Sequence, residues 1–143
     1  MSNKEDNFKE QFKQALISTA KVISDDYMLN KKNIDKDTSS KNIKFFENNG
    51  LLNKSDFIRL RAETDSAALK KKFSDKEILN RNSPSNQSCK SLYNTAEKIR
   101  YELLGCKMLN GIKKNLTEQY YQKMNIKQKN ELKTKKDVLP AEA

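Results

Sequence analysis

The chain has 143 residues and a net charge of +10, with 29 lysines and arginines against 19 acids. At 35% hydrophobic and 34% charged it affords a thin core and a highly charged surface, which suits one small domain or a domain with a tail. Three glycines and two prolines are too few for the turns of a sandwich or barrel; no apolar run nears the ~20 residues of a membrane span; and the start "MSNKEDNFKEQF" lacks the apolar stretch of a secretory leader.

An all-α, cytoplasmic protein is therefore expected. The first helix should run from about residue 5 to 24, with Phe8, Phe12, Leu16, Thr19 and Ile23 as its core stripe and Ala15 and Val22 alongside. Residues 25 to 53 are less regular, and "IDKDTSS" leaves room for at most one short β-hairpin near residues 27–47, or for no order at all. "NNG" is a stop signal, and Asn53 or Ser55 can cap a second helix that turns Phe57, Leu60 or Arg61, Thr64, Ala68 and Leu69 to one side. Ser74 and Glu77 read as the capping box of a short helix that ends near "RNSPSN".

A single long helix is then predicted from about 85 to 123, the centre of the domain. Leu92, Ala96, Ile99, Leu103, Cys106, Leu109, Ile112, Leu116 and Tyr120 keep an almost unbroken three/four spacing along it. The last twenty residues carry too little apolar content to pack, which divides the chain into a helical domain, 1–123, and a basic, flexible tail, 124–143.

Chemistry is hard to find. With no histidine the chain lacks the commonest general base and the commonest metal ligand. Cys89 and Cys106, 17 residues apart on one helix, would be separated by roughly 25 Å, too far for a disulfide. They read as reduced, semi-buried small residues. No CxxC and no Gly-rich phosphate loop is present. No catalytic residue, metal site or cofactor is expected. The positive charge suggests nucleic acid, but the lysines are scattered beside acids and the densest runs are only "KKK" and "KTKK". The aromatic residues fall at core spacing, unlike an exposed stacking platform.

Arg61 and Asp65 lie four apart on a helix face, and Glu97, Arg100 and Tyr101 cluster likewise, with Glu102 nearly opposite Arg100. As solvated surface pairs these contribute ~0.3–0.5 kcal/mol each. Between two packed helices the same residues would form a buried network that fixes register. Spacing leaves both readings open.

These residues carry a resemblance. Tyr93, Glu97, Arg100, Glu102, Gly105, Met108, Gly111, Asn115 and Leu116 resemble, at the same spacings, the N-terminal region of the CobT subunit of aerobic cobaltochelatase. Pro84 falls where that family has its proline. "RAETDSAALKKKFSD" is similar to the family's Arg-x-x-x-Asp-Ser stretch through Arg61, Asp65, Ser66, Ala68 and Asp75, and "FKQALISTAKVISDD" resembles its opening helix. The resemblance spans residues 8 to about 121. Family members continue through an acidic linker into a von Willebrand A-type domain with a metal-ion-dependent adhesion site, whereas this sequence ends at Ala143 with a basic tail. "DTSSK" at 37–41 has Lys41 where the metal motif needs serine and is rejected; the family's histidine in the second-helix region is also missing. A stand-alone version, a fragment or a reduced relative of the N-terminal domain is expected.

The resemblance implies a non-catalytic helical assembly module. CobT-like subunits assemble with a hexameric AAA+ ATPase of CobS type, which hydrolyses ATP, and a large chelatase subunit, which inserts cobalt(II) into hydrogenobyrinic acid a,c-diamide. Homo-oligomers are compatible with that role. It also gives Arg61, Asp65, Glu97 and Arg100, with Glu102, a place as a charge network between the second helix and the long one. Gly105 and Gly111, about 240° apart around a helix, would each admit a close neighbour. The alternatives are a basic helical nucleic-acid-binding or adaptor protein unrelated to chelation, or a reduced relative without chelatase function.

Overall fold

The computed structural model describes residues 2–28 and 53–129. Among them are five helices and no strand: α1 (Ser2–Ser24), α2 (Lys54–Phe73), α3 (Lys76–Arg81), α4 (Gln87–Met108) and α5 (Asn110–Lys129). The expected all-α class is thus observed. The hairpin expected near 27–47 lies, beyond Met28, outside the described residues; so does the expected tail from residue 130 onward, residues 124–129 being part of α5. The chain divides into two compact units, Met1–Lys72 and Phe73–Ala143.

In the first unit, α1 stops where the sequence says it should. Asp25 adopts a left-handed conformation with φ 56°, and the Asp26 N–H turns back to the Lys21 carbonyl at 3.2 Å, a Schellman closure made without glycine. Helix α2 opens on a reciprocal cap. Asn53 Oδ1 accepts the Asp56 N–H at 2.9 Å, and Asp56 Oδ2 accepts the Asn53 N–H at 3.2 Å. One core cluster is Phe12, Leu16 and Leu60 with Phe57 against it, and Ile23 and Leu69 are the largest fully buried side chains. Phe57 meets Phe12 and Phe8 edge-to-face at 4.8 and 5.7 Å between ring centroids.

The buried stripe of α1 differs from the expected one at five residues, among them Ala15, which is exposed. Ala20 is buried while Thr19 and Val22 are exposed; the Thr19 hydroxyl donates to the Ala15 carbonyl at 2.8 Å and is satisfied on the solvent side. Phe8 is 58% exposed and keeps only an edge contact with the core. On α2 the choice between Leu60 and Arg61 resolves to Leu60, buried at 4% exposure, with Arg61 on the surface.

In the second unit, α3 is capped by Asp75, not Ser74. The Asp75 carboxylate accepts the Glu77 and Ile78 N–H groups at 2.8 and 3.2 Å. Asn86 does the same for α4, accepting from Ser88 and Cys89 at 2.9 and 3.3 Å.

The predicted 85–123 helix is broken. Leu109 is extended, φ −139° and ψ 122°. Its N–H closes α4 onto the Gly105 carbonyl at 3.0 Å, and its carbonyl opens α5 by accepting the Lys113 N–H at 3.3 Å. Beyond that residue the chain folds back: Lys98 Nζ lies 5.7 Å from the centroid of the Tyr120 ring, a pair a straight helix would hold roughly 33 Å apart. Burial is redistributed accordingly. Tyr101, Glu102, Gly105, Ile112, Leu116 and Gln119 are buried. Leu92, Ala96, Ile99 and Leu103, expected in the core, are exposed. Tyr101 and Gly105 sit two residues either side of Leu103 and so point about 160° away from it, which is why packing of that side leaves the stripe outside.

Candidate functional site

Two polar clusters stand out in the second unit. The first gathers around the Glu97 carboxylate. Arg100 approaches it with both arms of its guanidinium, Nε to Oε2 at 2.7 Å and Nη2 to Oε1 at 2.8 Å. Ser74 Oγ donates to the same Oε1 at 2.5 Å, and Arg100 Nη2 also donates to the Phe73 carbonyl at 2.5 Å. The bidentate fork is the strong, geometry-specific form of this pair. The hydrogen bonds to Glu97 push the Arg100 pKa further up, against a smaller desolvation effect. Glu97 and Arg100 together therefore fasten Phe73 and Ser74, at the start of the second unit, to the middle of α4.

The second cluster surrounds Glu102, buried to 5% exposure. Its Oε2 accepts the Tyr120 hydroxyl at 2.6 Å, and Lys98 Nζ stands 3.8 Å from Oε1. Lys98 and Lys123 lie 5.7 and 5.8 Å from the Tyr120 ring centroid, so the phenol is flanked by two cations. Burial, and then the hydrogen bond to Glu102, push the Tyr120 hydroxyl far above its ordinary range. Burial raises the Cys106 thiol as well, with the Glu102 charge adding to it. Nearby, Gln119 is buried and its Nε2 has no hydrogen-bond partner among the described residues. A neutral phenol and a protonated thiol beside a carboxylate that accepts a hydrogen bond make a structural cluster.

Of the residues singled out in the sequence, Arg61 and Asp65 belong to the first unit and Glu97, Arg100 and Glu102 to the second. Arg61 is exposed, its guanidinium 5.6 Å from the Phe12 ring centroid, and Asp65 is 2% exposed within α2. Glu97 and Arg100 are brought together as expected, and Glu102 points the other way, into its own cluster. Gly105 is buried. Gly111 is exposed and a Cβ there would meet nothing within 4 Å; the close approach expected at Gly111 is not formed among the described residues. Spacing missed Ser74 and Tyr120 as polar partners, since a 23-residue and an 18-residue separation depend on tertiary structure. Cys89 and Cys106 are free, Cys89 exposed where it was expected half-buried.

Two lysines of the densest described run are already engaged. Lys71 pairs with Asp26 and Lys72 with Asp25, tying the end of α2 to the residues that close α1. Hydrogen bonding to Lys71 leads the causes that hold the Asp26 carboxyl below its ordinary value. Among the described residues no group of three or more His, Cys, Asp or Glu could hold a metal ion. No described helix is long and apolar enough to cross a membrane.

Caps, staples and exposed helix faces define a helical protein whose polar residues hold shape. Its family follows from comparison: the family model described as cobalamin biosynthesis protein CobT matches residues 6–143, nearly the entire sequence, and the chain belongs to that family. The match runs beyond the 8–121 stretch over which the motif resemblance was read and takes in the basic C-terminal residues. No curated protein and no solved structure gave a match.

Proposed function

We propose that this chain is a non-catalytic helical assembly module that works with an AAA+ ATPase of CobS type in ATP-dependent cobalt insertion into hydrogenobyrinic acid a,c-diamide. The observation that carries this reading is the CobT family match over residues 6–143, read together with polar clusters that are spent on hydrogen bonds and ion pairs. In this scheme ATP hydrolysis belongs to the ATPase and metal insertion to a large chelatase subunit. The Glu97–Arg100 fork and the buried Asp65 and Glu102 hold the shape of the surfaces presented to those partners.

The test is reconstitution. The purified chain is mixed with the CobS-type hexamer, with and without ATP, and followed by sedimentation velocity. Cosedimentation and a change in ATPase rate are the expected results. A chain that sediments alone under every nucleotide condition defeats the assembly reading. Binding to duplex DNA that weakens steeply with salt would favour the basic adaptor instead. The pairing of Lys71 and Lys72 with aspartates speaks against that alternative.

A further inference from the structure

We infer that this chain dimerises by exchanging α5: the joint at Leu109 straightens, α4 and α5 become one helix, and each α5 packs on the α4 of a second copy. The joint is almost helical already. The Leu109 N–H bonds to the Gly105 carbonyl at 3.0 Å, and the Lys113 N–H to the Leu109 carbonyl at 3.3 Å. Both are the four-residue bonds of an α-helix. To complete the ladder, the Asn110, Gly111 and Ile112 N–H groups need only reach the Cys106, Lys107 and Met108 carbonyls. One residue, Leu109, holds the helices apart at φ −139° and ψ 122°. Leucine is a good helix former and cannot cap, so nothing in that side chain favours the break.

The second observation is phase. Glu102, Gly105, Leu109, Ile112, Leu116 and Gln119 are spaced 3, 4, 3, 4, 3 through the joint, and all but Leu109 are buried. A continuous helix would therefore carry the packed sides of α4 and α5 on one face. A hairpin does not ask for that agreement. Exchange does, because each straight helix must meet its partner with both halves on the same side. In the dimer the two helices run back along one another as α4 and α5 do here, and the Tyr120 hydroxyl of one copy donates to Glu102 of the other. The two-fold axis falls midway between residues 102 and 120, so Leu109 and Ile112 of both copies surround it. Leu109, 45% exposed in the hairpin, is then covered.

A short joint favours exchange, since the same contacts form between copies and the turn is released. The net charge of +10 on each copy opposes it, a repulsion that salt screens. Concentration and salt therefore both favour the dimer. The inference does not depend on the chelatase reading.

The experiment uses the full chain. Sedimentation velocity over a dilution series should show monomer and dimer, with the dimer gaining at high salt. Spin labels at Ile99→Cys and Met124→Cys, both exposed positions, report on the joint by double electron–electron resonance, with Cys89→Ser and Cys106→Ala removing the native thiols. Labelled chain diluted into excess unlabelled chain reads the distance within one copy. It should be under roughly 20 Å in the monomer, where α4 and α5 pack side by side, and roughly 38 Å in the dimer, along one continuous helix. Asn110→Ala with Gly111→Ala favours helix through the joint and should raise the dimer fraction. Gly-Ser-Gly-Ser inserted after Leu109 slackens the hairpin and should leave only monomer, with far-UV circular dichroism little changed. The inference is overturned if the dimer keeps the short distance, because the copies then meet by another surface. It is also overturned if the insertion variant dimerises as the parent does, or if neither the parent nor the alanine variant dimerises.

Discussion

The Tyr120 hydroxyl donates to Glu102 Oε2 at 2.6 Å, joining α5 to α4 through a carboxylate that is almost wholly buried. Tyr120→Phe keeps the ring and removes that donor, leaving a buried carboxylate short of a partner. A loss of about 1–3 kcal/mol in chemical denaturation is expected. Glu102→Gln retains an acceptor and should cost less. No loss in Tyr120→Phe would place the stabilisation in the ring alone.

The same bond sets a pH response. The folded state raises the Tyr120 pKa above its ordinary value of 10.0, chiefly by burial. Its contribution to stability is therefore complete below the unfolded pKa and is lost as pH rises past it. Ultraviolet titration should show a late-ionising tyrosine phase that Tyr120→Phe removes. A curve whose late part is unchanged by Tyr120→Phe would contradict the buried hydrogen bond.

Leu109 occupies an N-cap position with a residue that cannot cap. Its extended backbone already suits Asp or Ser, whose side chains could accept the N–H groups of the first turn of α5. Leu109→Asp should raise stability by about 0.5–1.5 kcal/mol. In a continuous helix the same change would lower stability, because Asp is a poorer helix former than Leu. The sign of the change in melting temperature decides.

The two glycines should respond oppositely. Gly111 has open space around it and does not have positive φ, so Gly111→Ala should stabilise by up to ~1 kcal/mol. Gly105 is buried, and Gly105→Leu should overpack its surroundings at a cost of about 1–3 kcal/mol. Tolerance of leucine at Gly105 would show that its surroundings have room to spare.

Around Glu97 the effects should be coupled. Arg100→Ala removes two bonds to the carboxylate and one to the Phe73 carbonyl, and Ser74→Ala removes one more. With Arg100 half exposed, about 1–2 kcal/mol is expected for the arginine and less for the serine. A double-mutant cycle between Ser74 and Arg100 should give a non-zero interaction term, since both act on Oε1. Strict additivity would mean that they do not share Glu97 in solution.

Local signals in the sequence were reliable at most places where a side chain closes on its own backbone, the cap of α3, read as Ser74 and formed by Asp75, being the exception. Ser24 as the end of α1 and Asn53 as the cap of α2 were both legible, as was the opening of α4 close to Asn86. The Glu97–Arg100 pair was legible too, being three residues apart on one helix. The break at Leu109 was not, because Leu103, Cys106, Leu109, Ile112 and Leu116 preserve helical spacing straight through it. The Asn110–Gly111 dipeptide is a turn signal that could have marked the place. Missing the break also put Leu92, Ile99 and Leu103 in the core, since hydrophobic periodicity identifies an apolar face without saying what, if anything, covers it.

Because one residue serves as both the end of α4 and the start of α5, the joint has no slack, and the azimuth of α5 is fixed by residue count. Inserting a single alanine after Leu109 would advance every later side chain by about 100° around the helix. Ile112, Leu116 and Gln119 would swing off the buried side together, and Tyr120 would leave Glu102. An insertion of several flexible residues at the same point would let the helix rotate back into phase. A longer insertion should therefore be less damaging than a shorter one, the reverse of what a slack loop would give.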